Sequence, residues 1–302
     1  SFQPILLHNP PVLKDKLPAH LREKWSNNRI DRFLVNAMLE QGVRPSEQAS
    51  PYALIRRLSY DLTGLPPSVD DVEAFVANPS EHAYRAYAER LLDSAEHAEH
   101  WARYWLDLAR YADTIGYAFG GQSNKSPFAW TYRDWVVDAL NRNLPYDKFV
   151  VWQLAGDLLP EPTFEQKLAT GFCRNHMING EGGRIAEENR VEYIFDQIET
   201  VGTIWLGLTV TCARCHDHKF DPLTQRHYYE LFAYFNQTPV TGAGGNPQTA
   251  PTLTVLSSKA KKEIAERQER VDVHEHQLGE LSGTHNRHPG FFINRKGFHL
   301  FP

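Results

Sequence analysis

The sequence predicts an all-α protein: an irregular multi-helix domain with a Pro-rich N-terminal arm and a C-terminal amphipathic helix. Three observations carry that prediction. Apolar residues recur at i, i+3 and i+4 in one segment after another. Cap and stop residues bracket those segments. Only Thr252 to Leu256 offers a run with strand character. The 302 residues suffice for one large domain or two modest ones with a sizeable core. Seven Trp, 13 Tyr and 16 Phe supply an aromatic interior.

Taken in order, residues 1–28 are rich in proline (Pro4, Pro10, Pro11, Pro18) and read as an extended arm lying on the domain. Ile30, Phe33, Leu34, Ala37 and Met38 then form a helical stripe, with Gly42 at the stop. Leu54, Ile55, Leu58 and Leu62 mark a second helix ended by Gly64 and the Pro66-Pro67 pair. Ser68 with Asp71 three residues on reads as a helix start. Further helices are expected over 80–93 and 97–113, the latter with a stripe of Trp101, Trp105, Leu108 and Ala112. A Gly/Ser/Asn-rich loop follows, then helices over 130–142, 146–155 and 164–174. After the turn Asn179-Gly180-Glu181-Gly182-Gly183 comes the longest pattern, which includes Ile194, Phe195, Ile198, Val201 and Trp205. A last globular helix covers 226–236. The domain reading is 1–237 for the helical body, 238–258 for a linker, and 259–302 for a charged amphipathic helix (Lys259 to about Leu281) and an irregular tail.

Cys212-Ala213-Arg214-Cys215-His216 is a C-x-x-C-H haem-attachment sequence. Two cysteines three positions apart in a helical turn can each add to one haem vinyl group, and the adjacent histidine then meets the iron from the same side. The expected cofactor is haem c, with Cys212 and Cys215 as thioethers and His216 as the proximal ligand. With two of three cysteines so used, Cys173 has no partner within the chain, and no disulfide framework is expected. Two other readings of the cluster remain. Cys212, Cys215, His216 and His218 could make a zinc site, although adjacent residues rarely share a tetrahedral metal comfortably. A thioredoxin-type C-x-x-C belongs beside a βαβ unit, which the pattern lacks.

Several longer runs point to a family. They are Ile55-Arg56-Arg57-Leu58-Ser59-Tyr60-Asp61-Leu62-Thr63-Gly64-Leu65-Pro66-Pro67, Trp105 to Asp113, Tyr132-Arg133-Asp134-Trp135, Leu154 to Pro160, Arg174-Asn175-His176-Met177, and Cys212 to Pro222. Over roughly residues 1–237 the chain resembles the uncharacterised domain family associated with planctomycete-type cytochrome c modules. Members are typically large secreted proteins in which a cytochrome module precedes this domain and another domain follows it. The resemblance implies a haem-bearing extracytoplasmic protein, either a fragment of such a chain or a short paralogue, and supplies no reaction.

On the other side of the iron, His176 and Met177 are the candidate distal ligands, inside one of the matching runs; an open position is the third option. Met38 lies on a helical stripe and reads as core. Glu188, Glu192, Asp196 and Glu199 repeat along one helix face, where like charges repel. They read as a solvated face or as ion pairs with arginines such as Arg57, Arg110 or Arg133. The sharper alternative is a cation or proton-handling site near the haem, with Glu187 and Arg190 serving a distal pocket.

The formal net charge of −5 gives no reason to expect nucleic acid as a partner, and no apolar run reaches the length of a membrane span. The expected function is a periplasmic or extracellular c-type cytochrome that transfers electrons to a redox partner protein or cytochrome module. The alternatives are a haem enzyme of peroxidase or oxidase type with an open iron, and a zinc-binding structural module.

Overall fold

A computed structural model describes residues 28–114, 128–243, 251–256 and 258–284, together with 3–4, 6–13, 17 and 25. Among these residues the fold is all-α, with no extended strand; Thr252 to Leu256 is irregular. The chain divides into two compact units, 1–252 and 253–302. In the first, α1 spans Arg29–Glu40, α2 Pro51–Thr63, α3 Val69–Ala77, α4 Glu81–Leu92 and α5 Ala95–Leu108. The 113–129 loop expected next falls largely on residues outside those described. Then come α6 (Trp130–Asn141), α7 (Tyr146–Ala155), the short α8 (Phe164–Ala169), α9 (Ala186–Trp205) and α10 (Gln225–Phe235). In the second unit, Ser258–Thr284 forms one helix, α11, whose described side chains are almost all exposed. Among the described residues no helix is long and apolar enough to cross a membrane.

Small hydroxyl and amide side chains start most of these helices. Asn28, Ser50, Ser68, Ser80, Ser94, Thr163 and Thr224 each accept a backbone N–H of the first turn. A cap of this kind is worth about 1 kcal/mol. At the other end, Gly64 closes α2 with φ +70°, a conformation that disfavours any side chain with a Cβ. Two expected boundaries move. α5 stops at Leu108 rather than near 113 because Arg110 turns the chain with φ +59°. The 164–174 segment is α-helical only to Ala169 and tightens into a 3₁₀ turn over Thr170–Arg174.

Which faces are buried also differs from the periodic reading in two places. In α5 the buried residues are Ala98 and Ala102, with Ala109 just past its end and Trp105 partly buried, whereas Trp101 and Leu108 are exposed. The alanines let α6 approach closely, so large residues would be excluded there. In α1, Ile30, Phe33 and Leu34 face solvent, and Val35 is buried against Leu13 and Leu17.

The main core joins α5, α6, α7 and the C-terminal half of α9. Trp105 lies at its centre, 4.9 Å from Phe149 and 4.8 Å from Trp205. Its indole N–H donates to Gln153 Oε1 at 3.0 Å, and the Tyr132 hydroxyl donates to the same oxygen at 2.7 Å. A second core, Ile194, Phe195, Ile198, Val210, Ala213 and Tyr228, joins α9 to α10 and to the cysteine-bearing turn. Helix α9 and Phe235 belong to both cores, so that turn is mounted on the central helix of the domain.

Candidate functional site

The cysteine-bearing turn is fixed from behind before it offers anything to a ligand. Beyond Trp205, Gly207 reverses the chain with φ +64°, and the Leu208 N–H returns to the Gly202 carbonyl at 3.0 Å. Val210–Arg214 then closes a 3₁₀ turn. The Cys212 carbonyl accepts the Cys215 N–H at 3.3 Å and the His216 N–H at 3.4 Å. Residues 212, 215 and 216 therefore stand at i, i+3 and i+4 on one face. All three are exposed, while Val210 and Ala213 are buried against the second core.

Arg214 ties the turn to both neighbouring helices. Its guanidinium lies 3.8 Å from the centre of the Phe195 ring and pairs with Glu192 of α9, Nη1 donating to Oε2 at 3.2 Å. The Glu192 carboxylate raises the guanidinium pKa above its ordinary value. The Arg214 backbone carbonyl accepts from Gln225 Nε2 at 3.2 Å and from the Tyr229 hydroxyl at 3.1 Å, both on α10. Nothing in the C-x-x-C-H pattern announces Arg214, Gln225 or Tyr229; only the adjacency of α9 and α10 does.

The two nearby histidines carry their protons on different nitrogens. His216 Nδ1 lies 2.8 Å from the Asp217 carbonyl, which can only accept. Nδ1 therefore holds the hydrogen, and the neutral ring presents its lone pair at Nε2, as metal-binding imidazoles do. His218 Nδ1 instead receives the Asp221 N–H at 2.9 Å and the Phe220 N–H at 3.3 Å. Asp221 Oδ2 is also 3.3 Å from that nitrogen, but two amide donors there require its lone pair, so the hydrogen sits on Nε2. His218 shapes the loop, whereas Nε2 of His216 would be the nitrogen able to ligate.

His176 and Met177 lie elsewhere. His176 is 6% exposed and stacks on Tyr193 with ring centres 4.6 Å apart. Its Nδ1 donates to the Met177 carbonyl at 2.7 Å, and its buried Nε2 has no hydrogen-bond partner. Burial holds its pKa below the usual imidazole value. Tyr193 and Phe195 point about 200° apart around α9. His176 and the cysteine-bearing turn thus pack on different sides of that helix. Met177 is exposed.

The acidic face of α9 is divided among separate partners. Asp196 pairs with Arg110, Glu192 with Arg214, and Glu199 accepts from the Tyr228 hydroxyl at 3.4 Å. Arg133 pairs with its neighbour Asp134, and Arg190 with Glu187 and with Asn236 Oδ1 at 2.8 Å. Among the described residues no group of three or more His, Cys, Asp or Glu side chains is arranged to hold a metal ion by itself. The 212–216 face instead offers two thiols and one imidazole from a single side. Tyr229, exposed behind that face, leaves apolar surface beside it.

A family model described as PSCyt2, a protein of unknown function (DUF1549), matches residues 29–240. No curated protein and no solved structure matches the chain.

Proposed function

Because the chain belongs to the DUF1549 family, whose description assigns no function, we propose one from the 210–216 turn itself: an extracytoplasmic c-type cytochrome domain that carries one haem and transfers single electrons. One observation carries the reading. Cys212, Cys215 and His216 share the outward face of one fixed turn, and the His216 Nδ1 bond to Asp217 leaves Nε2 free to ligate. Haem bound there would supply a one-electron couple. The two thiols would hold it covalently and His216 would be its proximal ligand. Val210, Ala213 and Arg214 keep those three donors from moving, and the Asp217 carbonyl fixes the imidazole tautomer. Such attachment belongs to an oxidising compartment, periplasmic or extracellular, and the electron would pass to a redox partner protein or a cytochrome module. The unsatisfied donor set required for zinc is harder to assemble, since His218 has its lone pair committed to the backbone.

The position of His176 across α9 favours a second reading of the iron's far side. With His176 across α9 from the turn, a haem held by Cys212, Cys215 and His216 would not take His176 as its second ligand, and an open iron there would suit a haem enzyme of peroxidase or oxidase type.

The test is an absorption spectrum of the chain matured in a periplasm equipped for haem attachment, oxidised, reduced, and then exposed to carbon monoxide. A haem band that survives denaturation, and is lost from the Cys212→Ala/Cys215→Ala double variant, is expected. No such band in the folded wild-type chain sinks the haem reading. A shift with carbon monoxide selects the open iron; indifference to it selects the electron carrier.

A further inference from the structure

Helices α2 and α5 flank an open groove of about 590 Å³ lined by Tyr60, Asp61, Gly64, His100, Trp101 and Tyr104. Three of these are large aromatic side chains left uncovered: Tyr60 is 37% exposed, and Trp101 and Tyr104 are 46% exposed each. Exposed apolar surface concentrated in one concavity, with polar groups on its wall, is the form a small-molecule site takes.

The rings are held in place. Gly64 has no Cβ; one built there would stand 2.4 Å from His100 Nδ1, so the glycine lets the imidazole seat against the end of α2. His100 meets Tyr104 edge-on at 5.3 Å and 84°, and Trp101 at 6.3 Å and 85°. Trp101 and Tyr104 are 5.7 Å apart at 57°. The Arg56 guanidinium lies 4.5 Å from the Tyr60 ring centre and that of Arg103 4.7 Å from Tyr104.

These angles and charges select among ligands. Faces inclined at 57° to 85° make no parallel slot that would grip a flat aromatic ring from both sides. A bare cation would meet two guanidiniums already placed on two of the three rings. A protein partner needs about 20–30 residues a side, several times what lines this groove. A puckered, neutral, polyhydroxylated ring fits: its C–H groups, weakly positive, rest on an aromatic face, which is weakly negative. Asp61 and His100, which also line the groove, are the polar groups its hydroxyls would meet.

We propose that this groove binds a neutral saccharide, with one pyranose ring stacked on Trp101 and its hydroxyls donating to Asp61. The inference stands apart from the haem reading and survives its failure. It is tested by affinity electrophoresis of the folded chain through native gels containing xylan, mixed-linkage β-glucan or galactomannan, with alginate as an anionic control. Retardation in at least one neutral polysaccharide is expected, weakened about tenfold by Trp101→Ala and less by Trp101→Phe. Asp61→Asn should weaken it as well, and circular dichroism of each variant verifies the fold. No retardation in any neutral gel overturns the proposal. So does retardation unchanged in Trp101→Ala, or binding to alginate alone that salt abolishes, which would be adsorption to the arginines.

Discussion

Replacing Gly202 by alanine would put a methyl group where Val210 already is. The added Cβ would lie 2.6 Å from Val210 Cγ1 and 2.7 Å from Cγ2, closer than carbon atoms approach. Val210 is 2% exposed and opens the cysteine-bearing turn, so neither it nor α9 can yield without disturbing the second core. Overpacking of this kind costs about 1–3 kcal/mol. Against it stands the helical preference of alanine over glycine, about 1 kcal/mol in α9. The net is a loss of about 1 kcal/mol, which for a domain of this size lowers the melting temperature by about 2–4 °C. Val210→Ala alone removes two buried methyl groups and costs about 2 kcal/mol. In the double variant the new methyl occupies part of the vacated space, so the combined loss falls short of the sum by about 1 kcal/mol. Urea unfolding of the four proteins measures all of this. A Gly202→Ala variant more stable than wild type, or strictly additive losses, would refute the close packing of α9 on the turn.

In the unloaded chain, two thiols should react with a disulfide reagent at once and the third much more slowly. Cys212 and Cys215 are exposed, whereas the Cys173 thiol donates to the Gln153 carbonyl at 3.7 Å and burial pushes its pKa up to about 12. Three fast thiols would contradict the packing around Cys173. His216→Ala should alter the iron spectrum of the loaded protein, while His218→Ala should leave it unchanged and lower the melting temperature; the reverse pattern would exchange their roles. His176 titrates below its ordinary value of 6.5, chiefly because it is buried and secondarily because Arg174 and Arg110 are near. The unfolded chain then binds the extra proton first, so stability should fall as pH drops below about 6.5. Melting temperatures between pH 5 and 8 should show a shallower slope for His176→Gln than for wild type.

Much of the fold was legible because amphipathic periodicity and capping residues are local signals. The span of α9 and the Gly64 stop of α2 can be read from a few neighbouring residues. What periodicity cannot show is which of two apolar stripes meets a partner. In α5 the large side chains Trp101 and Leu108 suggest the buried face, but close helix packing rewards the small ones, Ala98, Ala102 and Ala109. The same limit applies at the site. The cysteine and histidine spacing names Cys212, Cys215 and His216. The pairing of Arg214 with Glu192, and the placement of His176 beyond Tyr193, depend on how α9 is oriented.

The fixed turn also bears on how such a protein would be matured. Both thiols already face outward on a backbone that the core, α9 and α10 hold in shape. An attachment enzyme that arrived after folding was complete would therefore still meet both thiols at the surface. If the turn carries haem as proposed, a chain that folds first would still be open to loading, and the supply of cofactor, rather than a race against folding, would set how much of it is filled.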